Sequence, residues 1–455
     1  ILKKVELTQK EKPNFLEMIN NFLVIGSGAR EHAIVNALYS SRLDSKIYCI
    51  GNSYNPGIMK LCFEYVVGDY NSSSFVVNYA NKNKIDYAII GPENPLEAGV
   101  SDALWEANIK VVGPKKELAK IETSKAFTRN LQVDYGIPGG PKFQSFTTLN
   151  GVAEYFEELN HEFVIKFDGL AGGKGVKVYG EHIETIPDAL DYCKSIIDSG
   201  GSFLIEEKFI GEEFSLMSFC DGKNIQHMPI VQDHKRAYEN DSGPNTGGMG
   251  TYSDYNHSLP FLNDTDIESA KKINLLTMEA LKNKTGMDYI GILYGGFMAV
   301  KNGVRLIEYN ARFGDPEAMN VLSILKTDFI DICKRMVSAS LDKIKIEFEN
   351  KATVCKYSVP NGYPDNPVKN QIIDISDIKD KDKLFYASVN IEGDNLIETG
   401  SRTLAVISVA ETIVDAERSA EDNIKRVKGP VFHRSDIGTK ELVDSRKSNM
   451  DKIRC

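Results

Sequence analysis

Four short apolar runs near the start of the chain each end in glycine, and helical patterns separate them. The runs are FLVIG (22–26), KIYCIG (46–51), YAIIG (87–91) and KVVG (110–113). Short β-rich runs that alternate with helices are typical of βαβ units and therefore predict a parallel sheet. Ligands of such sheets bind beyond the carboxyl ends of the strands. We therefore expect a site in the loops that come after Ile25, Ile50 and Ile90.

Further along the chain, the patterns change from helix-linked strands to hairpin-like strands. From residue 163 the strand-like runs are FVIKF, VKVYG, FLIEEKF and FSLMSFCDG. A helical pattern covers 265–284, strands resume at 294–310, and Asn302-Gly303 is the expected hairpin turn. A third segment of α+β pattern fills about 345–455. The 455 residues suffice for about three domains of roughly 150 residues each, so we predict a multi-domain protein with α/β and α+β parts.

The composition argues against several classes of protein. The net charge of −10 disfavours a nucleic-acid partner, although a small anionic substrate needs only a local positive site. The sequence contains no run of about 20 apolar residues, so we predict no membrane span. Seven cysteines without CxxC spacing indicate a reducing compartment and disfavour a zinc site. We therefore expect a cytoplasmic protein.

The beginning of the chain differs in character from the rest of the sequence. ILKKVELTQKEKPNFLEM is polar and lacks the apolar centre of a signal peptide. The first strand-like run begins only at Asn21, soon after Met18. We expect Met18 to be the working start, residues 1–17 to be a polar extension, and the first domain to begin after an N-terminal extension of residues 1–19.

The first glycine loop, GSGARE (26–31), comes after a strand and opens a helix, so its backbone N–H groups point toward an anion. The dinucleotide-binding fingerprint requires a third glycine where Glu31 stands, and an acidic residue near the end of the second strand, where the chain has Gly51-Asn52. Both departures disfavour a nicotinamide dinucleotide. A phosphate-bearing substrate and a simple tight turn remain as interpretations.

A second glycine-rich segment, FVIKFDGLAGGKGVKVYG, spans 163–180 and has Lys166 on its first strand. The glycines around its Lys174 are Gly169, Gly172, Gly173 and Gly175. The segment is not a Walker A loop, because Gly175 comes directly after the lysine and a strand comes next in place of a helix. A glycine-rich flap between two strands can close its amides over a triphosphate while lysines neutralise the charge. We favour this interpretation over a structural hairpin.

The strand VRLIEYNARFGDPEA (304–318) carries the pattern of a metal site. Glu308 and Asn310 point to the same face of a strand because side chains alternate. Two oxygen ligands on one face suit Mg²⁺, which shares its remaining positions with water and ATP phosphates. Arg312 stands next at the same parity and can bind a carboxylate or phosphate with two parallel hydrogen bonds. An edge strand with polar residues facing water is the structural alternative.

A long polar loop, QDHKRAYENDSGPNTGGMGTY (232–252), shows neither the helical nor the strand period. Compact proteins rarely keep a loop of this length without a function. Its glycines allow close backbone approach, and its Lys and Arg can meet anions. We predict that it lines a substrate site.

Together these motifs resemble the phosphoribosylamine–glycine ligase family of ATP-grasp enzymes, over about residues 20–440. The long loop is the part most specific to that family, whereas the flap and the metal strand alone would indicate only ATP-grasp. The segments that carry the resemblance are GSGAREHA (26–33), GPENPLEAGVSD (91–102), SKAF (124–127), IKFDGLAGGKGV (165–176), EEKFIGEEFS (206–215), QDHKRAYENDSGPNTGGMGTYS (232–253), GILYGGFM (291–298), IEYNARFGDPE (307–317) and DIG (436–438).

The resemblance implies a multi-domain ATP-grasp enzyme of α/β and α+β class. A Rossmann-like (pre-ATP-grasp) parallel-sheet domain at 20–120 would bind substrate. An ATP-grasp domain would cover 121–335, with a flap subdomain at about 125–200. A C-terminal α+β domain would cover 345–455. No fused second enzyme is indicated, so we expect a stand-alone ligase that is a monomer or a weak homodimer.

The resemblance also implies roles for residues at matching positions. The residues implied on the ATP side are Lys125, Lys166, Gly169, Gly172, Gly173, Lys174, Gly175, Glu206, Glu207, Lys208, Phe209 and Glu213, with Glu308 and Asn310 as ligands of Mg²⁺ or Mn²⁺. The residues implied on the substrate side are Gly26, Gly28, Arg30, Glu93, Asp233, Lys235, Asn245, Thr246 and Arg312. Within these sets, Lys166, Asp233 and Arg312 are the expected catalytic residues. The implied reaction joins glycine to 5-phosphoribosylamine at the expense of ATP, through glycyl phosphate, in purine biosynthesis.

Some positions depart from the family pattern. Ala29 stands where glycine is usual, Met319 replaces a glutamine, and IGNSYNPG (50–57) is looser than the usual loop. In the C-terminal segment FYASV (385–389) and GSRT (400–403) replace better-defined motifs. Three alternatives therefore stay open: another ATP-grasp ligase, a nicotinamide-dependent oxidoreductase, and an inactive nucleotide-binding regulator.

Overall fold

The computed structural model describes residues 19–172 and 175–455. The first part of the chain forms the predicted parallel sheet. Its strands are β1 (Asn20–Ile25), β2 (Ser45–Gly51), β3 (Glu64–Val67), β4 (Tyr87–Ile90) and β5 (Lys110–Val112). Its helices are α1 (Ala29–Tyr39), α2 (Pro56–Leu61), α3 (Ser73–Lys82), α4 (Glu93–Glu97) and α5 (Val100–Glu106). The strand order is β3-β2-β1-β4-β5, and the edge strand β3 is one that the apolar pattern did not predict.

Strand β1 is buried on both faces. Leu23 and Ile25 belong to one hydrophobic cluster, whereas Phe22 and Val24 belong to a second cluster. Alternate side chains of a strand point to opposite faces, and helices cover both faces of a parallel sheet. The apolar run is therefore continuous rather than alternating. Because β1 pairs with β2 on one side and β4 on the other, the strand order reverses there and the loops after β1 and β4 flank one crevice.

The next part of the chain contains the predicted flap. Its elements are α6 (Lys116–Thr123), α7 (Lys125–Asp134), β6 (Phe143–Phe146), α8 (Val152–Glu158), β7 (Phe163–Phe167), β8 (Val176–Val178), α9 (Ile186–Asp198) and β9 (Phe203–Glu207). The strands form an antiparallel sheet in the order β6-β9-β7-β8, with β7 and β8 as the hairpin that carries the flap. Phe156, Phe163 and Phe203 are fully buried in the core of this part.

A second antiparallel sheet contains the strand that carries Glu308 and Asn310, the metal strand of the sequence analysis. The elements of this region are β10 (Gly211–Asp221), β11 (Ile225–His227), β12 (Gln232–Asp233), β13 (Arg236–Tyr238), β14 (Ser242–Asn245), β15 (Gly250–Ser253), α10 (Asp264–Thr285), β16 (Ile290–Val300), β17 (Gly303–Asn310), α11 (Glu317–Ser323) and α12 (Phe329–Val337). The sheet order is β11-β10-β16-β17. The consecutive strands β9 and β10 lie in different sheets, so the hairpin-like pattern does not extend across residue 210.

Helix α10 and the β16–β17 hairpin lie where the sequence predicted them. Helix α10 begins and ends within one residue of the predicted 265–284, between the capping side chain of Asn263 and Gly286 at φ +71°. The expected turn at Asn302-Gly303 is wrong by one residue. Val300 pairs with Gly303, so Lys301 and Asn302 form the turn and Gly303 is the first residue of β17, with φ +90°.

The last part of the chain is built around a third antiparallel sheet, the fourth large sheet of the protein. Its elements are β18 (Ala352–Pro360), β19 (Ile372–Ile373), β20 (Leu384–Tyr386), β21 (Val389–Glu392), β22 (Asn395–Glu398), β23 (Leu404–Ala410), α13 (Ile413–Ile424), β24 (Val431–Phe432) and α14 (Lys440–Arg454). The sheet order β12-β15-β18-β23-β20 includes two strands from the long polar loop. That loop is therefore attached to the C-terminal part of the chain by backbone pairing of β15 with β18.

Short 3₁₀ helices at Glu239–Asp241, Leu341–Lys343 and Lys381–Lys383 complete the described elements. Among the helices within residues 19–172 and 175–455, none is both long enough and apolar enough to cross a membrane.

Candidate functional site

A cavity of about 900 Å³ opens between the four parts of the chain that these sheets organise. It gathers residues that are far apart in the sequence, and many of those predicted for the site line its wall. The predicted residues that line it are Arg30, Glu93, Lys125, Lys166, Gly172, Glu213, Asp233, Lys235, Asn245, Thr246, Glu308, Asn310 and Arg312. The predicted residues outside its lining are Gly26, Gly28, Gly169, Gly175, Glu206, Glu207, Lys208 and Phe209. Gly173 and Lys174 lie outside the described residues.

The first glycine loop lies in the crevice between the loops after β1 and β4. Gly26 has φ +118°, and a Cβ there would lie 2.7 Å from Glu31 and 2.9 Å from Pro92, so the turn requires glycine. The Gly28 N–H donates to Glu31 Oε2 at 2.6 Å, while Arg30 Nε contacts Glu31 Oε1 at 2.6 Å. Glu31 therefore occupies an amide that the pyrophosphate of a dinucleotide would need.

Arg312 lies at the centre of a charge cluster that connects this crevice to the metal strand. Its guanidinium contacts Glu122 at 2.9 Å and Glu93 at 3.4 Å, and it donates to Asn310 Oδ1 at 3.1 Å. Burial would raise the pKa of Glu93, but Arg312 and Arg30 outweigh it and lower that pKa. Glu122 also accepts from the Ala311 N–H at 2.7 Å. Glu122 fixes Arg312 beside the cavity, a role that no local pattern in α6 indicated.

Lys166 lies over a buried ion-pair group. Its Nζ is 2.7 Å from Glu206 Oε2 and donates to the Ile307 carbonyl at 3.0 Å. Arg129 binds the two oxygens of Glu206 at 2.7 and 2.9 Å and also reaches the Ile307 carbonyl. Burial would raise the pKa of Glu206, but Arg129 and Lys166 lower it to about 2. The Glu206 side chain therefore orients Lys166, and a contact of this segment with adenine would have to come from other atoms.

The metal strand presents Glu308 and Asn310 to the cavity, on one face as alternation requires. Burial would raise the pKa of Glu308, but Lys235, Lys166 and Lys125 lower it to about 2, so the carboxylate is ionised. Its Oε1 lies 3.4 Å from Lys235 Nζ. An ionised carboxylate and an amide oxygen, with room beside them for phosphate oxygens and water, are the donor set that Mg²⁺ or Mn²⁺ accepts. The residues present therefore fit a divalent cation.

The flap approaches the same end of the cavity. Lys125, the first residue of α7, donates from Nζ to the Gly169 carbonyl at 2.9 Å. The helix N-terminus itself is held by Asp168, whose Oδ1 accepts from the Ala126 N–H at 3.2 Å. The lysine predicted to meet phosphate is thus already in contact with the backbone of the flap. Lys125 and Lys166 both lower the pKa of Glu308, so positive charge gathers at this end of the cavity.

The long polar loop forms the opposite wall. Strands β13 and β14 pair into a small hairpin, and Thr246 Oγ1 both donates to the Lys235 carbonyl at 2.9 Å and accepts from the Gly248 N–H at 3.0 Å. Asp233 Oδ1 accepts from the His234 N–H at 2.7 Å. Burial and the nearby Glu317 raise the pKa of Asp233. A cationic group bound in this part of the cavity would relieve the repulsion between these carboxylates.

Several residues of the cavity wall were not predicted from the sequence. They stand on several elements, and the motifs that contain His234, Asp315 and Glu317 did not single them out. They include Glu122, Arg129, His234, Asp315, Glu317, Tyr363 and Arg402. Each of them has at least one partner that lies far away in the sequence.

Comparison with known proteins matches three successive parts of the chain to three domain models of one family. The family model for the N domain of phosphoribosylglycinamide synthetase matches residues 20–122, the model for its ATP-grasp (A) domain matches 123–318, and the model for its C domain matches 353–440. Together these matches extend over most of the chain.

Curated relatives that match nearly the whole chain are named phosphoribosylamine–glycine ligases. A phosphoribosylamine–glycine ligase from Methanocella arvoryzae is 48% identical over 432 residues, which is 95% of this chain and 99% of that protein. The enzyme of the same name from Methanococcus vannielii is 49% identical over 441 residues, again 95% and 99% of the two chains. The crystal structure of phosphoribosylamine–glycine ligase from Thermotoga maritima has a TM-score of 0.77 at 26% identity and covers 92% of this chain and 100% of its own. This chain therefore belongs to the phosphoribosylamine–glycine ligase family of ATP-grasp proteins.

Proposed function

We propose that this protein joins glycine to 5-phosphoribosylamine and converts ATP to ADP and phosphate, giving glycinamide ribonucleotide. One observation carries the proposal: a single cavity brings the phosphate-side residues Lys125, Lys166 and Glu308 next to the long-loop residues Asp233 and Thr246. A nucleotide-binding regulator would need the first set alone. A ligase needs both sets around one space, because the activated acid must meet the amine before water does.

The chemistry requires activation of the glycine carboxylate, whose oxygen is a poor leaving group. A carboxylate oxygen attacks the γ-phosphorus of ATP, the bond to the β–γ bridging oxygen breaks, and ADP leaves. The product is glycyl phosphate. The amine of phosphoribosylamine then attacks the acyl carbon, phosphate leaves, and the nitrogen loses a proton. The reaction needs no covalent bond to the protein, so positioning and electrostatics supply the catalysis.

Residues in different parts of the cavity would bind different reactants. Lys125 and Lys166 would neutralise the triphosphate under the flap, and Arg312 would bind the carboxylate or its phosphorylated form. Glu308 and Asn310 would hold Mg²⁺ or Mn²⁺, which when bound neutralises phosphate charge. Asp233 would face the ammonium group of glycine. The first glycine loop, with Arg30 and Glu93 beside it, would face phosphoribosylamine.

The test is ADP release by the wild-type protein with ATP and Mg²⁺, with glycine and phosphoribosylamine added singly and together. Phosphoribosylamine is labile and is formed in the reaction mixture from ribose 5-phosphate and ammonia. We expect strong release only with both substrates, and glycinamide ribonucleotide by mass spectrometry. Release with other carboxylate and amine pairs but not with these would indicate a different ATP-grasp ligase.

Two variants test which side of the cavity each residue serves. Lys166→Ala should raise KM for ATP much more than KM for glycine, whereas Asp233→Asn should do the reverse. The opposite pattern would exchange the two assignments. We also expect a cytoplasmic enzyme that is a monomer or a weak homodimer, which light scattering across a range of protein concentrations would test.

A further inference from the structure

Arg402 reaches from the C-terminal sheet into the cavity wall and contacts two separate segments there. Its Nη1 donates to the carbonyls of Gly247 and Gly248 at 2.7 and 3.3 Å, in the long polar loop. The same nitrogen donates to the Asp315 carbonyl at 2.7 Å, beyond the end of the metal strand. Its Nη2 lies 3.4 Å from the Asp315 carboxylate. One side chain thus connects three parts of the chain.

The guanidinium of Arg402 is also held by Tyr357. The Arg402 guanidinium lies over the ring of Tyr357, 4.6 Å from its centroid, and the Tyr357 hydroxyl donates to Asp315 Oδ1 at 2.5 Å. Tyr357 is fully buried. Burial would lower the pKa of Arg402, but Asp315 and Tyr357 outweigh it and raise that pKa, so the guanidinium stays charged.

The two segments that Arg402 contacts both border the part of the cavity proposed to face glycine and phosphoribosylamine, which we call the acceptor side. A Cβ on Gly248 would lie 2.7 Å from Asp233 Oδ1, so the Gly247–Gly248 turn is packed directly on that carboxylate. A Cβ on Gly28 would lie 3.8 Å from Asp315 Oδ2, so Asp315 is a neighbour of the first glycine loop. Displacement of Arg402 would therefore move groups that face glycine and phosphoribosylamine. The phosphate-side lysines are held by other groups, the Gly169 carbonyl and the Glu206 carboxylate.

The contacts favour positioning over direct binding of substrate. Backbone carbonyls accept hydrogen bonds from Nη1 of Arg402, the Asp315 carboxylate lies 3.4 Å from Nη2, and the flat face of the guanidinium lies on Tyr357. Nη1 is thus committed to protein acceptors, and a planar guanidinium is well suited to hold several acceptors in fixed geometry.

We propose that Arg402 is a positioning residue, which sets the geometry of the acceptor side of the site by holding the Gly247–Gly248 turn and Asp315. The inference rests on the proposed function, because it concerns the substrates named there. It assigns a role in the reaction to a C-terminal residue that the sequence analysis did not predict for the site.

The experiment compares wild type and Arg402→Ala in steady-state kinetics with each substrate varied in turn. We expect KM for phosphoribosylamine and for glycine to rise roughly ten- to a hundredfold, because small misplacements near reacting groups cost about that much. We expect KM for ATP, and the affinity for a non-hydrolysable ATP analogue by calorimetry, to stay within about twofold. Millimolar guanidinium should restore part of the activity of Arg402→Ala.

Two further variants keep the result interpretable. Tyr357→Phe retains the ring under the guanidinium but frees Asp315 Oδ1, and should show the same substrate pattern at a smaller size. Arg402→Lys keeps the charge but not the fork, and should fall between wild type and Arg402→Ala. Arg426→Ala serves as the matched control, because Arg426 pairs with Asp422 of helix α13 and lies outside the cavity lining.

The outcomes separate this inference from the proposed function. If wild type forms glycinamide ribonucleotide and Arg402→Ala raises all three KM values equally, or changes only thermal stability, the positioning role is wrong. If Arg402→Ala does not fold, the same comparison of KM values is made with Tyr357→Phe and Arg402→Lys, and equal changes in all three values again overturn the role. If wild type gives no product with these substrates, the proposed function itself fails and the substrate names in the inference go with it.

Discussion

Lys235 Nζ lies 3.4 Å from Glu308 Oε1 and 3.6 Å from Glu213 Oε2, at the point where the long polar loop faces the metal strand. Burial would lower the pKa of Lys235, but Glu308 and Glu213 raise it, so the ammonium is charged at neutral pH. The lysine thus balances the negative charge of the carboxylate that is placed to hold a divalent cation. The contact between Lys235 and Glu308 therefore connects the long polar loop to the metal strand.

The first prediction concerns Glu308→Gln. Removal of the charge takes away the anionic ligand while keeping the size of the side chain, so affinity for a divalent cation should fall at least about tenfold, since even outer partners of metal ligands have effects of that size. Electron paramagnetic resonance of Mn²⁺, titrated in the presence of a non-hydrolysable ATP analogue, measures this affinity apart from activity. The exposed Glu97→Gln is the control. Equal Mn²⁺ affinity in wild type and Glu308→Gln would remove the metal assignment.

The second prediction concerns the pH dependence of stability at Glu206. The carboxylate has a pKa of about 2 in the folded protein and an ordinary value of 4.5, so its ion pairs stabilise the fold above pH 4.5. That stabilisation is lost as the pH falls toward 2. Glu206→Gln should therefore lower the unfolding free energy at pH 7 by on the order of 3 kcal/mol, as expected for a broken buried ion pair.

The pH dependence of the effect of Glu206→Gln tests whether the charge of the carboxylate is responsible. The difference in melting temperature between wild type and Glu206→Gln should be full at pH 7 and should shrink as the pH falls below about 4.5, because the wild-type carboxyl then begins to lose its advantage. A difference that stays constant from about pH 7 to about pH 3.5 would show that the carboxylate charge does not stabilise the fold. Exposed Glu97→Gln should show no such trend.

The third prediction concerns Gly248→Ala. Gly248 has φ +111°, and an added Cβ would lie 2.7 Å from Asp233 Oδ1 and 2.9 Å from Pro316 Cδ. The methyl group would displace the Asp233 carboxylate, so kcat/KM for glycine should fall at least about tenfold while nucleotide affinity is retained. Gly200→Ala is the matched control, since Gly200 has φ +79° and nothing within 4 Å of an added Cβ. Similar kinetics in the two variants would mean that the added methyl group at Gly248 does not disturb the glycine site.

The fourth prediction concerns Asn55, which joins the first domain to the C-terminal part of the chain. Its Nδ2 donates to the carbonyls of Ser27 and Tyr386, each at 2.8 Å, and its Oδ1 caps helix α2 by accepting from Gly57 and Ile58. Asn55 is fully buried. Asn55→Ala should destabilise the protein by roughly 2–4 kcal/mol, since it removes a cap and leaves buried polar groups without partners.

A comparison with a simpler cap isolates the link between domains. Ser72 caps α3 with one bond, to the Phe75 N–H at 3.4 Å, so Ser72→Ala should cost only about 1 kcal/mol. Asn55→Asp keeps the capping oxygen but lacks the donors, and should therefore lose stability through the contact with Tyr386. Equal losses for Asn55→Ala and Ser72→Ala in chemical denaturation would argue that the contact with the C-terminal part contributes nothing.

Local patterns predicted several of the elements that surround the cavity. The parallel sheet, the flap hairpin β7–β8 and helix α10 could be predicted from the spacing of apolar residues and from glycines at their ends. The shared face of Glu308 and Asn310 results from strand alternation alone. The turn between β16 and β17 was misplaced by one residue, because Asn-Gly is compatible with more than one turn and the register is fixed by pairing along both strands.

The sequence by itself determined the elements and the chemical character of the loops, because these depend on interactions between residues close in the chain. Only the tertiary structure decided which charges meet. Glu122 at Arg312, Arg129 at Glu206, Asn55 at Tyr386 and Arg402 at Asp315 join segments that no periodicity connects. Strand β15 of the long polar loop finds its partner in β18, since its backbone groups must be satisfied once they leave water. The packing of the four sheets and their helices against one another sets these partners, and it therefore sets the geometry of the cavity.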